Sequence, residues 1–264
     1  MKKYFAILKI ELIKHFTYPA RVFIYFILDI IAVAIFPFIW LAAYDAQNNL
    51  NGLSRADITT YYVAVVFVSL AITSHISRYT NRDIRNGNLS GHLVRPINYI
   101  GKQYMHDLAY GFTAGTIFAL ILIPAHFIYP QIIFLPANLP TGLWFLVFIF
   151  IARLISFSLQ LIAGLLTFWL GDIEGVMQLR GVLEKIFGGG FAPLSLFPAV
   201  LQTLARYLPF PFLYFIPVQV YLGKITGGEL LVNATKGILW SSFFLIVIII
   251  LWRRGLKRFD GAGL

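Results

Sequence analysis

Residues 141–170 read TGLWFLVFIFIARLISFSLQLIAGLLTFWL. Arg153 is the single charge in that run. An α-helix needs about 20 mostly apolar residues to cross roughly 30 Å of hydrocarbon, so this stretch predicts a transmembrane helix with length to spare. Working outward, residues 108–129 form a second such run without Asp, Glu, Lys or Arg, and 59–77 a third. Residues 22–42 form another, with Asp29 its only charge. On the C-terminal side, 237–252 is short but very apolar, and 182–205 is weaker, carrying Glu184, Lys185 and the triplet Gly188-Gly189-Gly190. The expected fold is therefore all-α: a polytopic integral membrane protein of six transmembrane helices, with residues 1–264 as one transmembrane domain.

Composition agrees. Of 264 residues, 59% are hydrophobic and 12% charged, and mean hydropathy is +0.79. Counting glycine, the apolar share is roughly 67% against a usual 45–50%. A disordered chain needs the opposite balance, and a soluble domain lacks the polar surface to cover this much apolar material. The net charge is +10, but the bases flank apolar runs, which points to membrane orientation and not to nucleic acid. With no cysteine, disulfides, thiolate metal sites and a Cys nucleophile are excluded.

Six spans put both ends of the chain on one side. Lys2, Lys3, Lys9, Lys14 and Arg21 precede the first span, and Arg253, Arg254, Lys257 and Arg258 follow the last. Loop 78–107 carries Arg78, Arg82, Arg85, Arg95 and Lys102. Loop 43–58 has only Arg55, and 130–140 has no charge. The positive-inside rule then places both termini and loop 78–107 in the cytoplasm of a multi-pass protein of the cytoplasmic (inner) membrane. Residues 2–17 read as an interfacial helix ended before Pro19, with Phe5, Leu8, Leu12 and Phe16 on one face. Lys9, Glu11 and Lys14 interrupt what would be the apolar core of a signal peptide.

Loop 78–107 is the most informative segment outside the spans. Leu89, Leu93 and Ile97 recur every four residues, Arg82, Arg85 and Arg95 supply a basic face, and Pro96 ends a helix near Arg95. A short amphipathic cytoplasmic helix of this kind suits a groove on a partner. The alternative is a solvated loop whose arginines fix topology and touch anionic lipid. No G-x-x-x-x-G-K-[ST] occurs, so the chain has no phosphate-binding Walker loop. H-E-x-x-H and G-x-S-x-G are also absent, which makes a membrane enzyme a minor reading.

The pattern Gly87-x-Leu89-x-x-x-Leu93-x-x-Pro96, between a second and a third span, resembles the coupling loop of the permease subunits of type-2 ATP-binding-cassette transporters. Many members have an acidic, Gly-Thr-containing version where this chain has Arg85-Asn86-Gly87-Asn88. Gly188–Gly190 with Phe191-Ala192-Pro193-Leu194 and Phe197-Pro198 resembles the family's fifth span. Leu208-Pro209-Phe210 and Tyr214-Phe215-Ile216-Pro217 resemble the stretch after it. The resemblance covers nearly the whole chain and is carried by the order of these motifs. It implies two permease chains, identical or related, working with two ATP-binding subunits. It implies that ATP and magnesium are held on the partner, that this chain carries no cofactor and no catalytic residue, and that the partner docks on Arg82, Arg85, Asn86, Gly87, Leu89, Leu93, Arg95 and Pro96. It further implies transport, most naturally export, with the ATPase closing against loop 78–107.

Three features sit outside the coupling loop. Pro209, Pro211 and Pro217 forbid one continuous helix over 206–236, while Phe210, Phe212, Leu213, Tyr214 and Phe215 make a solvated loop costly. Short re-entrant or interfacial helices are expected there, resembling an outer gate. Asp29 and Arg153 are charges inside spans, so they either line a cargo pathway or serve structure, as a pair or separately. Gly111-x-x-x-Gly115 permits close helix approach, and Gly188, Gly189 and Gly190 either loosen the fifth span into a hinge or pack tightly. The main rival function is a six-span secondary transporter or channel that needs no ATPase. Cargo is not written in the sequence, although 17% aromatic residues suit an amphipathic or lipidic molecule as well as lipid contact.

Overall fold

The computed structural model describes residues 2–17, 19–47, 55–128 and 138–259. These residues are mostly helical and contain no strand. Helix α1 (Lys2–Thr17) stops at the residue pair before Pro19, and α2 (Pro19–Gln47) begins on that proline. The first helical turn tolerates proline because its N–H would be unpaired there anyway. Then follow α3 (Arg55–Ile72), α4 (Ile76–Arg85), α5 (Leu89–Leu93), α6 (Tyr99–Ile128), α7 (Leu139–Leu165) and α8 (Thr167–Leu170). The chain closes with α9 (Glu174–Phe187), α10 (Ala199–Arg206), α11 (Phe215–Tyr221) and α12 (Gly228–Leu256), with 3-10 turns at Leu194–Leu196 and Phe210–Phe212.

Among the described residues, three helical stretches are long and apolar enough to cross a membrane: Asp57–Arg85, Leu139–Leu170 and Gly228–Leu256. Helices α2 and α6 have 29 and 30 residues. Both leave large apolar side chains outward, including Phe23, Ile31, Phe38, Phe112, Leu120 and Phe127. Exposed apolar faces this extensive need lipid or protein against them.

Helix α7 is the central post. It packs against α3, α4, α11 and α12, while α2 lies on α3 and α1 on α6. Two apolar clusters sit along it. One joins Tyr62, Val65, Phe145, Phe148 and Ile151 to Phe212, Leu213 and Val218. The other joins Ile84, Leu89 and Tyr99 to Leu161, Leu165, Phe168 and Ile248 at the opposite end.

Two expected spans are not continuous helices. The run 59–77 breaks at residues 73–75, between α3 and α4. The run 182–205 breaks at Gly188, and the chain turns through residues 188–198 before α10. Helix α9 alone has 14 residues, about 21 Å, which falls short of the hydrocarbon core. The face of α1 turned to the protein also differs from the expected apolar face. Phe5 and Phe16 stay exposed, while Glu11 is buried and the Tyr4 ring packs against Gly101 of α6.

Candidate functional site

The loop between α4 and α6 is short and rigidly built. Helix α4 closes with the N–H of Asn86 on the Arg82 carbonyl and that of Gly87 on Ile84. Gly87 has φ 71°, a left-handed conformation that a Cβ disfavours, which is why glycine follows Asn86 here. Helix α5 is five residues, and it separates the leucines that the spacing had placed on one face. Leu89 is completely buried among the second apolar cluster. Leu93 is 45% exposed and Val94 84% exposed. Leu89 therefore anchors the loop, and Leu93 with Val94 forms its outward apolar tip. Arg82, Arg85, Asn86, Arg95 and Pro96 are all exposed around that tip.

Polar contacts beneath the loop fix it to α6 and α1. The Asp83 carboxylate accepts from Tyr99 Oη at 2.9 Å and from Gln103 Nε2 at 3.3 Å. Lys102 Nζ lies 3.2 Å from a ring nitrogen of His92. Burial, then the neighbouring Lys102 charge, lowers the His92 pKa, and burial first of all lowers that of Lys102. Lys3 Nζ donates to the Pro96 carbonyl at 2.7 Å. Farther along α1, the Glu11 carboxylate accepts from His106 Nδ1 at 2.9 Å and from Lys14 Nζ at 2.7 Å. Burial pushes the Glu11 pKa up, but hydrogen bonds from His106 and Lys14 outweigh it and hold the carboxyl at about 2.

Above the loop lies a polar layer between the two apolar clusters. Arg153, Ser156 and Gln160 share one face of α7 by their spacing, and that face meets the break in residues 73–75. Arg153 Nη1 donates to the Ala71 carbonyl at 2.6 Å and to that of Thr73 at 3.4 Å. Ser156 Oγ donates to the Ile72 carbonyl at 2.9 Å and Gln160 Nε2 to Ser74 at 2.6 Å. Arg153 Nη2 meets an Asp107 carboxylate oxygen at 2.6 Å and also bonds the Asp107 carbonyl. The side chains of this ion pair are 5% and 1% exposed. The buried ion-pair partner of Arg153 is thus Asp107; the side chain of Asp29 lies outside the described residues. Gly111 and Gly115 both face Ala71 of α3, and a Cβ on Gly111 would land on the Arg153 guanidinium. Beside this layer is a cavity of about 330 Å³ lined by Ser74, Ser77, Arg78, Gln160, Glu174 and Arg180, among others.

The glycine triplet is built differently. Gly189 has φ 86°, and a Cβ there would come within 2.8 Å of Tyr61 Oη and 3.0 Å of Phe215 Cβ. Tyr61 Oη donates to the Gly189 carbonyl at 2.7 Å. Tyr62 Oη and Trp40 Nε1 both donate to the Phe191 carbonyl, at 2.7 and 2.8 Å, and the Phe215 N–H donates to Gly188 at 2.8 Å. Pro209 and Pro217 are buried; Pro209 opens the Phe210–Phe212 turn, and Pro217 sits in the first turn of α11.

Sequence reasoning passed over Asp107, Ser156 and Gln160. A signal for two of them was present in residues 141–170: Arg153, Ser156 and Gln160 stand at helical spacing in a mostly apolar run. Tyr61, Tyr62 and Trp40 carried no comparable signal.

Long apolar helices with lipid-ready outer faces, a polar layer inside them, and a basic loop held at one end define a polytopic membrane protein. The family model described as ABC-2 family transporter protein matches residues 12–263, and the chain belongs to that family. It is a membrane-embedded permease subunit of an ATP-binding-cassette transporter. Such permeases generally lack ATPase activity themselves and usually work with an ATP-binding subunit. No curated protein matches the chain.

Proposed function

We propose that this chain is one permease of a dimeric exporter of an amphipathic cargo, powered by a separate ATP-binding subunit that docks on loop 78–107. In this reading the chain crosses the cytoplasmic membrane six times with both ends in the cytoplasm. The exposed faces of α1, with Phe5 and Phe16, lie on the membrane surface. The short helices of residues 206–236 sit at the outer side. ATP and magnesium belong to the partner, and no cofactor resides on this chain.

One observation carries the reading. Leu93 and Val94 project from a helix that Leu89 roots in the core, with Arg82, Arg85 and Arg95 exposed around them. An apolar tip ringed by arginines on a rigid base is what a groove on a soluble subunit can grip and push. Because α4 spans from the turn before α5 to the break at residues 73–75, a push on the tip reaches the polar layer and the cavity beside it. That cavity, with Ser74, Ser77 and Gln160 on its wall, is the pathway candidate.

Co-purification from the native membrane tests the proposal. Wild-type protein should bring down a stoichiometric ATP-binding chain, and changing Arg85, Leu93 and Val94 to Glu, Asp and Asp together should lose it. Export predicts ATP-dependent accumulation of cargo inside inverted vesicles. If no ATP-binding chain appears and the purified protein alone moves solute across liposomes, the secondary-transporter reading replaces this one.

A further inference from the structure

A second cavity, of about 300 Å³, lies between α10, the Phe210–Phe212 turn, α11 and the start of α12. Leu208, Phe212 and Ile216 form apolar wall, and Arg206 and Lys236 also line it. No carboxylate lines it among the described residues. Its two amides are already committed: Gln202 Nε2 donates to the Phe197 carbonyl at 2.8 Å and Asn233 Nδ2 to that of Glu229 at 2.9 Å. Arg206 and Lys236 are exposed, and neither forms an ion pair among the described residues. The site is thus a pair of cations over an apolar pocket.

Its depth in the bilayer says what fills it. In α12 an uncharged apolar run, residues 237–252, separates Lys236 from Arg253 and Arg254. At 1.5 Å per residue those two levels stand about 25 Å apart, close to the thickness of a hydrocarbon core. Lys236 therefore sits at headgroup depth in the leaflet opposite the Arg253 end. Helix α10 agrees: Val200, Leu204 and Tyr207, at helical spacing, are 78%, 47% and 77% exposed, the face of a helix lying in the interface. Arg206 lies beside that face.

We propose that this cavity binds an anionic phospholipid, with its phosphate on Arg206 and Lys236 and the upper part of an acyl chain against Leu208, Phe212 and Ile216. Arginine matches phosphate geometry with paired N–H donors, and both lipid ends find their chemistry within one site. The site is separate from the polar cavity beside residues 73–75 and needs neither cargo nor ATP.

The test is photolabelling of the full chain in nanodiscs with photoactivatable phosphatidylglycerol, compared with the phosphatidylcholine analogue. Peptides from 199–236 should label at least about tenfold better with the anionic probe. Arg206→Gln with Lys236→Gln should bring the preference down to about twofold or less, and Arg206→Lys with Lys236→Arg should keep it. Leu208→Trp should block labelling by filling the apolar part while sparing both cations. Lys224→Gln, an exposed cation outside the cavity, should change nothing. Unchanged thermal midpoints keep the variants comparable. Equal labelling by the two lipids, or indifference to the double glutamine variant, overturns the proposal. Displacement of the probe by millimolar inorganic phosphate alone also overturns it, because the site would then hold the free anion.

Discussion

Among the described residues, the helix breaks at residues 73–75 and 188–191 are closed by opposite means. At the break around residues 73–75 the carbonyls of Ala71, Ile72 and Ser74 are met by a guanidinium, a hydroxyl and an amide of α7, namely Arg153, Ser156 and Gln160. At residues 188–191 they are met by aromatic side chains, Tyr61, Tyr62 and Trp40. Inside a membrane every backbone polar group must find a partner within the protein, so both solutions satisfy the same demand. They differ in what they add. The first puts a desolvated ion pair at the joint, where removal of one partner leaves a buried charge. The second uses neutral donors whose loss leaves only an unmet carbonyl. The first break should therefore behave as an all-or-none latch and the second as a graded packing joint.

Arg153→Met gives the largest expected effect, a loss of about 3–5 kcal/mol, because Asp107 is left buried and unpaired. Adding Asp107→Leu should recover most of that, but a deficit of about 1–3 kcal/mol should persist because the carbonyls of Ala71 and Asp107 lose their donor. A double-mutant cycle on thermal unfolding in detergent reads both numbers. Full recovery would mean that Arg153 serves only Asp107, and the latch would lose its link to the break.

Gly111→Ala comes next. Its new Cβ meets the Arg153 guanidinium and the Ala71 carbonyl, so overpacking of about 1–3 kcal/mol is expected. Gly115→Ala, with Ala71 Cβ at 3.6 Å, should be tolerated. Equal midpoints for the two variants would contradict the packing described.

The aromatic joint should be softer. Tyr62→Phe or Trp40→Phe should each cost less than about 1 kcal/mol, since both donate to the Phe191 carbonyl and one remains. The double variant should cost more than the two singles together, by the coupling expected of a shared acceptor. Additive losses would mean that the two donors act independently.

The smallest effect concerns α1. The Glu11 carboxyl is held at about 2 against an ordinary 4.5, so the native state favours its ionised form. That contribution is complete above pH 4.5 and is lost as the pH falls toward 2. Hydrogen exchange of α1 should accelerate over that window in wild type, and Glu11→Gln should flatten the dependence.

Part of the plan was legible because a bilayer imposes a length and an apolarity that residues 141–170 and 237–252 state locally, and both fall in helical stretches long and apolar enough to cross a membrane. The proline pattern after Arg206 likewise announced short helical pieces. The failures were of two kinds. Thr73-Ser74-His75 contains neither glycine nor proline, so nothing local marked a break whose cause lies on α7. Leu89 and Leu93 share a spacing, but a five-residue helix that turns inward sends one to the core and the other outward.

The sequence alone determined an all-helical membrane chain with a basic loop between its second and third apolar runs, because hydrophobic transfer and backbone satisfaction depend on local composition. Tertiary structure alone decided that Arg153 pairs with Asp107, that Gly189 lies under Tyr61, and that Arg206 and Lys236 line one cavity. Each of those depends on which helices meet. Contact across a sequence separation of tens of residues is set by packing, which no local pattern records.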